Sequence, residues 1–155
     1  MEWQEVLNHL SLQNLPWKIY SYLEKYGVEG ELYLECSIET RKGVKVADVA
    51  WGSRSFFEKY GDITPLKLAP EICIEVCSPS NSDTEMTDKI DLYLAKGAKE
   101  VWIVDEFGNL KIYTHEGMVA QSKLMPTFPR QIKIWFIFAN WYILGSFLMA
   151  FHSST

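Results

Sequence analysis

The chain opens with two stretches of helical periodicity, Trp3–Leu10 (apolar at Trp3, Val6, Leu7 and Leu10) and Trp17–Tyr26 (apolar at Ile19, Tyr22, Leu23 and Tyr26), with Gly27 and Gly30 closing the second. Apolar positions three and four apart share one helix face, so two short helices are predicted. Glu31–Ile38 and Val44–Trp51 are rich in β-forming residues and flank a polar turn at Arg41, Lys42 and Gly43, the pattern of an antiparallel hairpin. After a loop and a short helix near Phe56–Tyr60, Pro70–Cys77 is nearly unbroken by polarity, as befits a central strand covered on both faces. Ser78–Asp83 is a breaker and capping cluster. Thr84–Lys96 then places Met86, Ile90, Tyr93 and Leu94 at helical spacing, and Gly97 stops the helix. Val101–Val104 is a second buried strand, so Pro70–Asp105 reads as a βαβ unit with parallel strands and a right-handed crossover. Leu110–Tyr113, after the Gly108-Asn109 turn, and Met118–Ala120 complete an α/β fold: a mixed sheet flanked by helices.

A length of 155 residues suits one core, and 48% hydrophobic with 23% charged residues excludes a wholly disordered chain. We place one domain at residues 1–132 and a separate tail at 133–155. The net charge of −5 argues mildly against a protein living on phosphate contacts, although a metal site concentrates acids. Cys36, Cys73 and Cys77 have neither a disulfide count nor a zinc spacing, and the first ten residues carry acids instead of a signal peptide's basic start; both point to the cytoplasm. The tail differs in kind: Ile134–Phe151 has no charged residue, carries Trp135, Phe136, Phe138, Trp141 and Tyr142, and is apolar all round. Such a run is expected to be buried in a bilayer, in a groove of its own domain, or against a second copy of the chain.

The chemistry is carried by acids in apolar strands. Glu75 sits in the middle of a strand apolar on both faces, where an ionised carboxylate costs several kcal/mol unless a cation, a metal or a proton accompanies it. Asp48, between Val46 and Ala50, has the same difficulty, and a divalent ion between the two would remove their repulsion. Lys89 lies on the helix after the Glu75 strand, one turn from Met86 and one from Tyr93, and reaches back over that strand's end. Two acids, a lysine and a hard cation are what phosphodiester hydrolysis needs. The plainer reading, a structural Glu75–Lys89 ion pair with Asp48 bridging a loop, stands beside it. Glu31, Glu35 and Glu39 read as a solvated face, with entry of Glu35 into the site as the alternative, Ser78 and Ser80 as turn and capping residues, and His9, His115 and His152 have no partner at triad or ligand spacing.

Val46-Ala47-Asp48-Val49-Ala50, Pro70-Glu71-Ile72-Cys73-Ile74-Glu75-Val76-Cys77-Ser78-Pro79-Ser80, Asp88-Lys89, Tyr93, Gly97 and Glu100-Val101-Trp102-Ile103-Val104-Asp105 together resemble the Uma-two family, classed as restriction endonucleases within the PD-(D/E)XK nuclease superfamily. The resemblance spans about Gly30–Ile132. It implies a restriction-endonuclease-like core, Asp48 and Glu75 as Mg²⁺ (or Mn²⁺) ligands with the Val76 carbonyl completing the shell, and Lys89 as the catalytic lysine. The superfamily's usual lysine position, two residues after the glutamate, is Cys77 here. The family's N-terminal hairpin block looks absent, which should leave one sheet face under-covered, and the tail has no counterpart.

Three readings follow. The first is a Mg²⁺-dependent endonuclease cutting DNA, with catalytic Asp48, Glu75 and Lys89 and with Arg41, Lys42, Lys45 and Arg54 holding the DNA. The second is an inactive nuclease-like remnant acting as a binding or interaction module. The third is a membrane-attached protein whose 134–151 segment matters more than its core. Expected partners are accordingly DNA, a second copy in a homodimer, and a membrane through the tail.

Overall fold

The computed structural model describes residues 3–27 and 29–133, with side chains from residue 14 onward. The tail, with its expected burial, lies outside the described residues. Helix α1 spans Trp3–Tyr26, strands β1 and β2 span Glu31–Thr40 and Gly43–Gly52, and α2 spans Arg54–Tyr60. Strand β3 (Ile72–Val76), helix α3 (Asp83–Ala95), β4 (Glu100–Val104), β5 (Leu110–Thr114) and β6 (Gly117–Val119) complete the order.

The six strands form one sheet in sequential order, β1 to β6. Neighbours are antiparallel except β3 and β4, which run parallel with α3 as their crossover. Both the predicted hairpin and the predicted βαβ unit are present. The hairpin turns tightly between Thr40 and Gly43, and Gly43 takes φ +88°, a conformation that favours glycine.

Two apolar layers sandwich the sheet. One face packs Cys36, Ile38, Ala47, Ala50 and Cys73 against Phe57 of α2 and Met86, Ile90, Tyr93 and Leu94 of α3. The other packs Val49, Trp51, Ile72, Ile74 and Trp102 against Leu15, Ile19 and Leu23 of α1 and against Met125, Phe128 and Ile132. Two expectations fail here. The N-terminal stretches are one helix of 24 residues that runs through Pro16. A proline inside a helix costs about 3 kcal/mol, but Leu15, Ile19 and Leu23, four apart and essentially inaccessible, bury one continuous stripe that a break at Pro16 would split. Nor is the second sheet face under-covered, because that stripe and the segment from Ser122 to Ile132 fill it.

Burial also explains Glu100, the acid at the start of β4. Its carboxylate is 2% exposed and accepts from Trp102 Nε1, Ser122 Oγ, Lys123 N and Leu124 N, pinning the covering segment to β4.

Candidate active site

Glu75 lies on β3 in the layer below α3, 2% exposed. Helix α3 is fixed at both ends. Ser82 caps its start by accepting from Glu85 N at 3.1 Å, and Ala98 N and Gly97 N donate to Tyr93 O and Leu94 O at its end, closed by Gly97 at φ +102°. That anchorage sets the rotation of the helix, and residues 89 and 93, one turn apart, meet Glu75 together. Lys89 Nζ donates to Glu75 Oε2 at 2.9 Å, and Tyr93 OH donates to Glu75 Oε1 at 2.7 Å.

Asp48 arrives from β2. Strands β2 and β3 pair through Trp51↔Ile72, Ala50↔Cys73 and Val49↔Ile74, and the next positions along are Asp48 and Glu75. The alternation of faces slips at this point. Ala47 and Ala50 both pack on the α3 side while Val49 packs on the α1 side, whereas strict two-residue alternation would put Ala47 with Val49. On β1, Leu34 packs on one side and Cys36 and Ile38 on the other, with Glu35 between them at φ +51°. Glu35 and Asp48 are the one pair missing from an otherwise continuous β1–β2 register. A local kink of this kind re-aims a side chain, and Asp48 Oδ2 accepts from the backbone N–H of Val76 at 2.7 Å. The acid of β2 is thereby tied to the C-terminal end of the strand that carries Glu75.

Burial, reinforced by the charge of Asp48, pushes the Glu75 carboxyl up to about 7, against the pull of Lys89 and the Tyr93 hydroxyl. The Tyr93 phenol is raised by burial first and then by Glu75. Burial with a second carboxylate nearby thus leaves Glu75 reluctant to ionise, the situation that a bound cation relieves.

The structure brings Asp48, Glu75 and Lys89 together. Val76 joins them through its N–H, held by Asp48. Of the four residues expected to hold DNA, Lys42 is ion-paired to Asp88 on α3, beside Lys89, and Arg41 and Lys45 act electrostatically on the same Asp88. Arg54 is apart from them, exposed at the start of α2, where Ser53 is bound by Glu71 at the other end of β2. Tyr93, which the sequence marks only as a stripe position and part of the family motif, joins the site through its hydroxyl. Its ring fits the apolar stripe of α3, and the available signal was its spacing of four from Lys89 on the helix that follows the acid. Among the described residues no group of three or more His, Cys, Asp or Glu side chains is gathered as a metal site. The donor set is two carboxylates, which suits Mg²⁺, an ion commonly held by one or two carboxylates with water and phosphate filling the rest. Asp48 Oδ1 accepts no hydrogen bond among the described residues, so one oxygen of the pair is uncommitted.

A six-stranded mixed sheet with a parallel βαβ unit and apolar cover on both faces is a restriction-endonuclease-like α/β fold. Residues 8–134 match the model of the Uma2 family, described as "Putative restriction endonuclease", and the chain belongs to that family. The match begins well before the Gly30 start suggested by the motifs and takes in most of α1. Among solved structures the chain is similar to "a putative nuclease belonging to DUF820 from Anabaena variabilis", with a TM-score of 0.59 and 20% identity over 85% of this chain and 80% of that one. No curated protein matches significantly.

Proposed function

We propose that the protein is a divalent-metal-dependent endonuclease hydrolysing DNA phosphodiester bonds. The observation that carries this reading is the Glu75–Lys89 ion pair between β3 and α3, with Asp48 of β2 bonded to the neighbouring Val76 and acting electrostatically on Glu75. Asp48 and Glu75 would hold Mg²⁺ or Mn²⁺, with the Val76 carbonyl as a third donor. When bound, the ion supplies Lewis-acid polarisation of a phosphate oxygen and a more acidic water.

The protein's own groups do the positioning. The Val76 N–H fixes one Asp48 oxygen, Oδ2. Tyr93 fixes the Glu75 carboxylate, so the acid pair is oriented before substrate arrives. Lys89 places a positive charge beside Glu75, where it orients the attacking water or offsets charge developing at phosphorus. Family membership supports nuclease chemistry, and DNA is the substrate that a restriction-endonuclease class implies.

Calorimetric titration of Mg²⁺ or Mn²⁺ into the full chain tests the metal. One ion should bind, more tightly at pH 8 than at pH 6 because Glu75 must lose its proton, and binding should vanish in Asp48→Asn. Absence of binding at millimolar metal and pH 8.5 would overturn the proposal.

A further inference from the structure

Immediately before Lys89 on α3 stands Asp88, whose carboxylate turns to the surface. Its Oδ2 meets Lys42 Nζ at 2.7 Å, with both side chains about half exposed. Lys42 belongs to a built turn: Thr40 Oγ1 accepts from Lys42 N at 3.2 Å and donates to Gly43 O at 2.6 Å. The same carboxyl is held below its ordinary value first by Lys42 and then by Arg41 and Lys45. Lys42 thus contacts the Asp88 carboxylate at the hairpin tip, and Arg41 and Lys45 act on it electrostatically. The nearby Glu39 of β1 is engaged elsewhere, by Lys67.

The ion pair does not hold the hairpin in place. An exposed pair contributes about 0–1 kcal/mol, whereas β1 and β2 are bonded along nearly their whole length. What the carboxylate does is occupy the anion position of a cationic cluster. The cluster is also placed for a backbone running through the site. Lys45 is three residues from Asp48, roughly 10 Å along a strand or about three base-pair steps of DNA.

We propose that Asp88 is an internal stand-in for a backbone phosphate: it fills the anion position on Lys42 in the free protein and is displaced by a phosphodiester of duplex DNA that enters the site. The inference rests on the DNA reading above and adds a residue that sets how tightly, and at what ionic strength, DNA is admitted. Removing the carboxylate lets Lys42 take that phosphate without first breaking its ion pair.

Binding of a fluorescent DNA duplex to the full chain, without divalent metal so that nothing is cut, tests this across 50–200 mM salt. Asp88→Asn should bind more tightly than wild type throughout that range, by up to about fivefold, the size of an exposed ion pair that no longer has to be broken. Glu116→Gln, an equal charge change in the β5–β6 turn across the sheet, should not. In Asp88→Asn combined with Lys42→Gln the gain should disappear. An Asp88→Asn effect no larger than that of Glu116→Gln, or a gain that persists without Lys42, overturns the inference while leaving the DNA reading intact. Failure of every protein to bind duplex at 50 mM salt overturns the DNA reading, and this inference with it.

Discussion

Glu75→Gln in the metal-free protein isolates the electrostatic strain at the site. Glu75 has an ordinary value of 4.5 and is raised to about 7 in the fold. Below 4.5 it is protonated in both folded and unfolded chains and carries no penalty. Between 4.5 and 7 the folded chain holds a proton that the unfolded chain has released, so stability falls as pH rises; above 7 the loss is complete. From pH 5 to pH 8.5 the wild type should lose about 2.5 kcal/mol through this one group, since each pKa unit is worth about 1.4 kcal/mol. Glutamine cannot titrate. It also accepts poorly from both Lys89 and Tyr93 at once, but that defect is the same at every pH and cancels from the slope. Chemical denaturation of both proteins in chelator at pH 5, 7 and 8.5 reads the effect. The stability difference, variant minus wild type, should grow by about 2.5 kcal/mol across the range, or roughly 5–10 °C in Tm. A difference that is flat, or shrinks as pH rises, would falsify the claim that Glu75 is a strained acid awaiting a cation.

Glu100→Ala should lower stability by about 3 kcal/mol or more, because four donors lose a buried acceptor, while leaving metal affinity unchanged; urea unfolding beside calorimetry separates the two. Tyr93→Phe should cost about 1–2 kcal/mol and weaken metal binding at neutral pH, because Glu75 loses a donor that favours its ionised form; metal titrations at pH 7 and 9 should show the defect narrowing at the higher pH. The full-length chain should aggregate or need detergent, and deleting residues 133–155, which keeps the buried Ile132, should leave a folded domain that does not. A full-length chain already monomeric without detergent, and unaltered by the deletion, would show that the tail is neither a span nor a sticky surface.

Much of this arrangement was legible from side-chain pattern alone. A continuous apolar run identifies β3 as central, and an acid inside it cannot be solvated there, so Glu75 announces itself; Asp48 and Lys89 follow from the neighbouring elements. The N-terminal helix was misread because local periodicity breaks around Pro16, whereas its continuity comes from burying Leu15, Ile19 and Leu23 on a sheet built from residues far along the chain. The kink at Glu35 and Asp48 leaves no mark in composition, since neither residue is glycine and the slip shows only in which face its neighbours occupy. Tyr93 was hidden because an aromatic ring satisfies a helix's apolar stripe whether or not its hydroxyl has work to do. The Lys42–Asp88 pair joins residues 46 apart in sequence, and no local pattern signals it.

Plasmid cleavage by the purified full chain tests the central claim most directly. Nicking or linearisation should require Mg²⁺ or Mn²⁺, should not be supported by Ca²⁺, and should be lost in Asp48→Ala, Glu75→Ala and Lys89→Ala alike. Cleavage that survives all three substitutions, or a metal-saturated wild type that leaves DNA intact, would contradict the account.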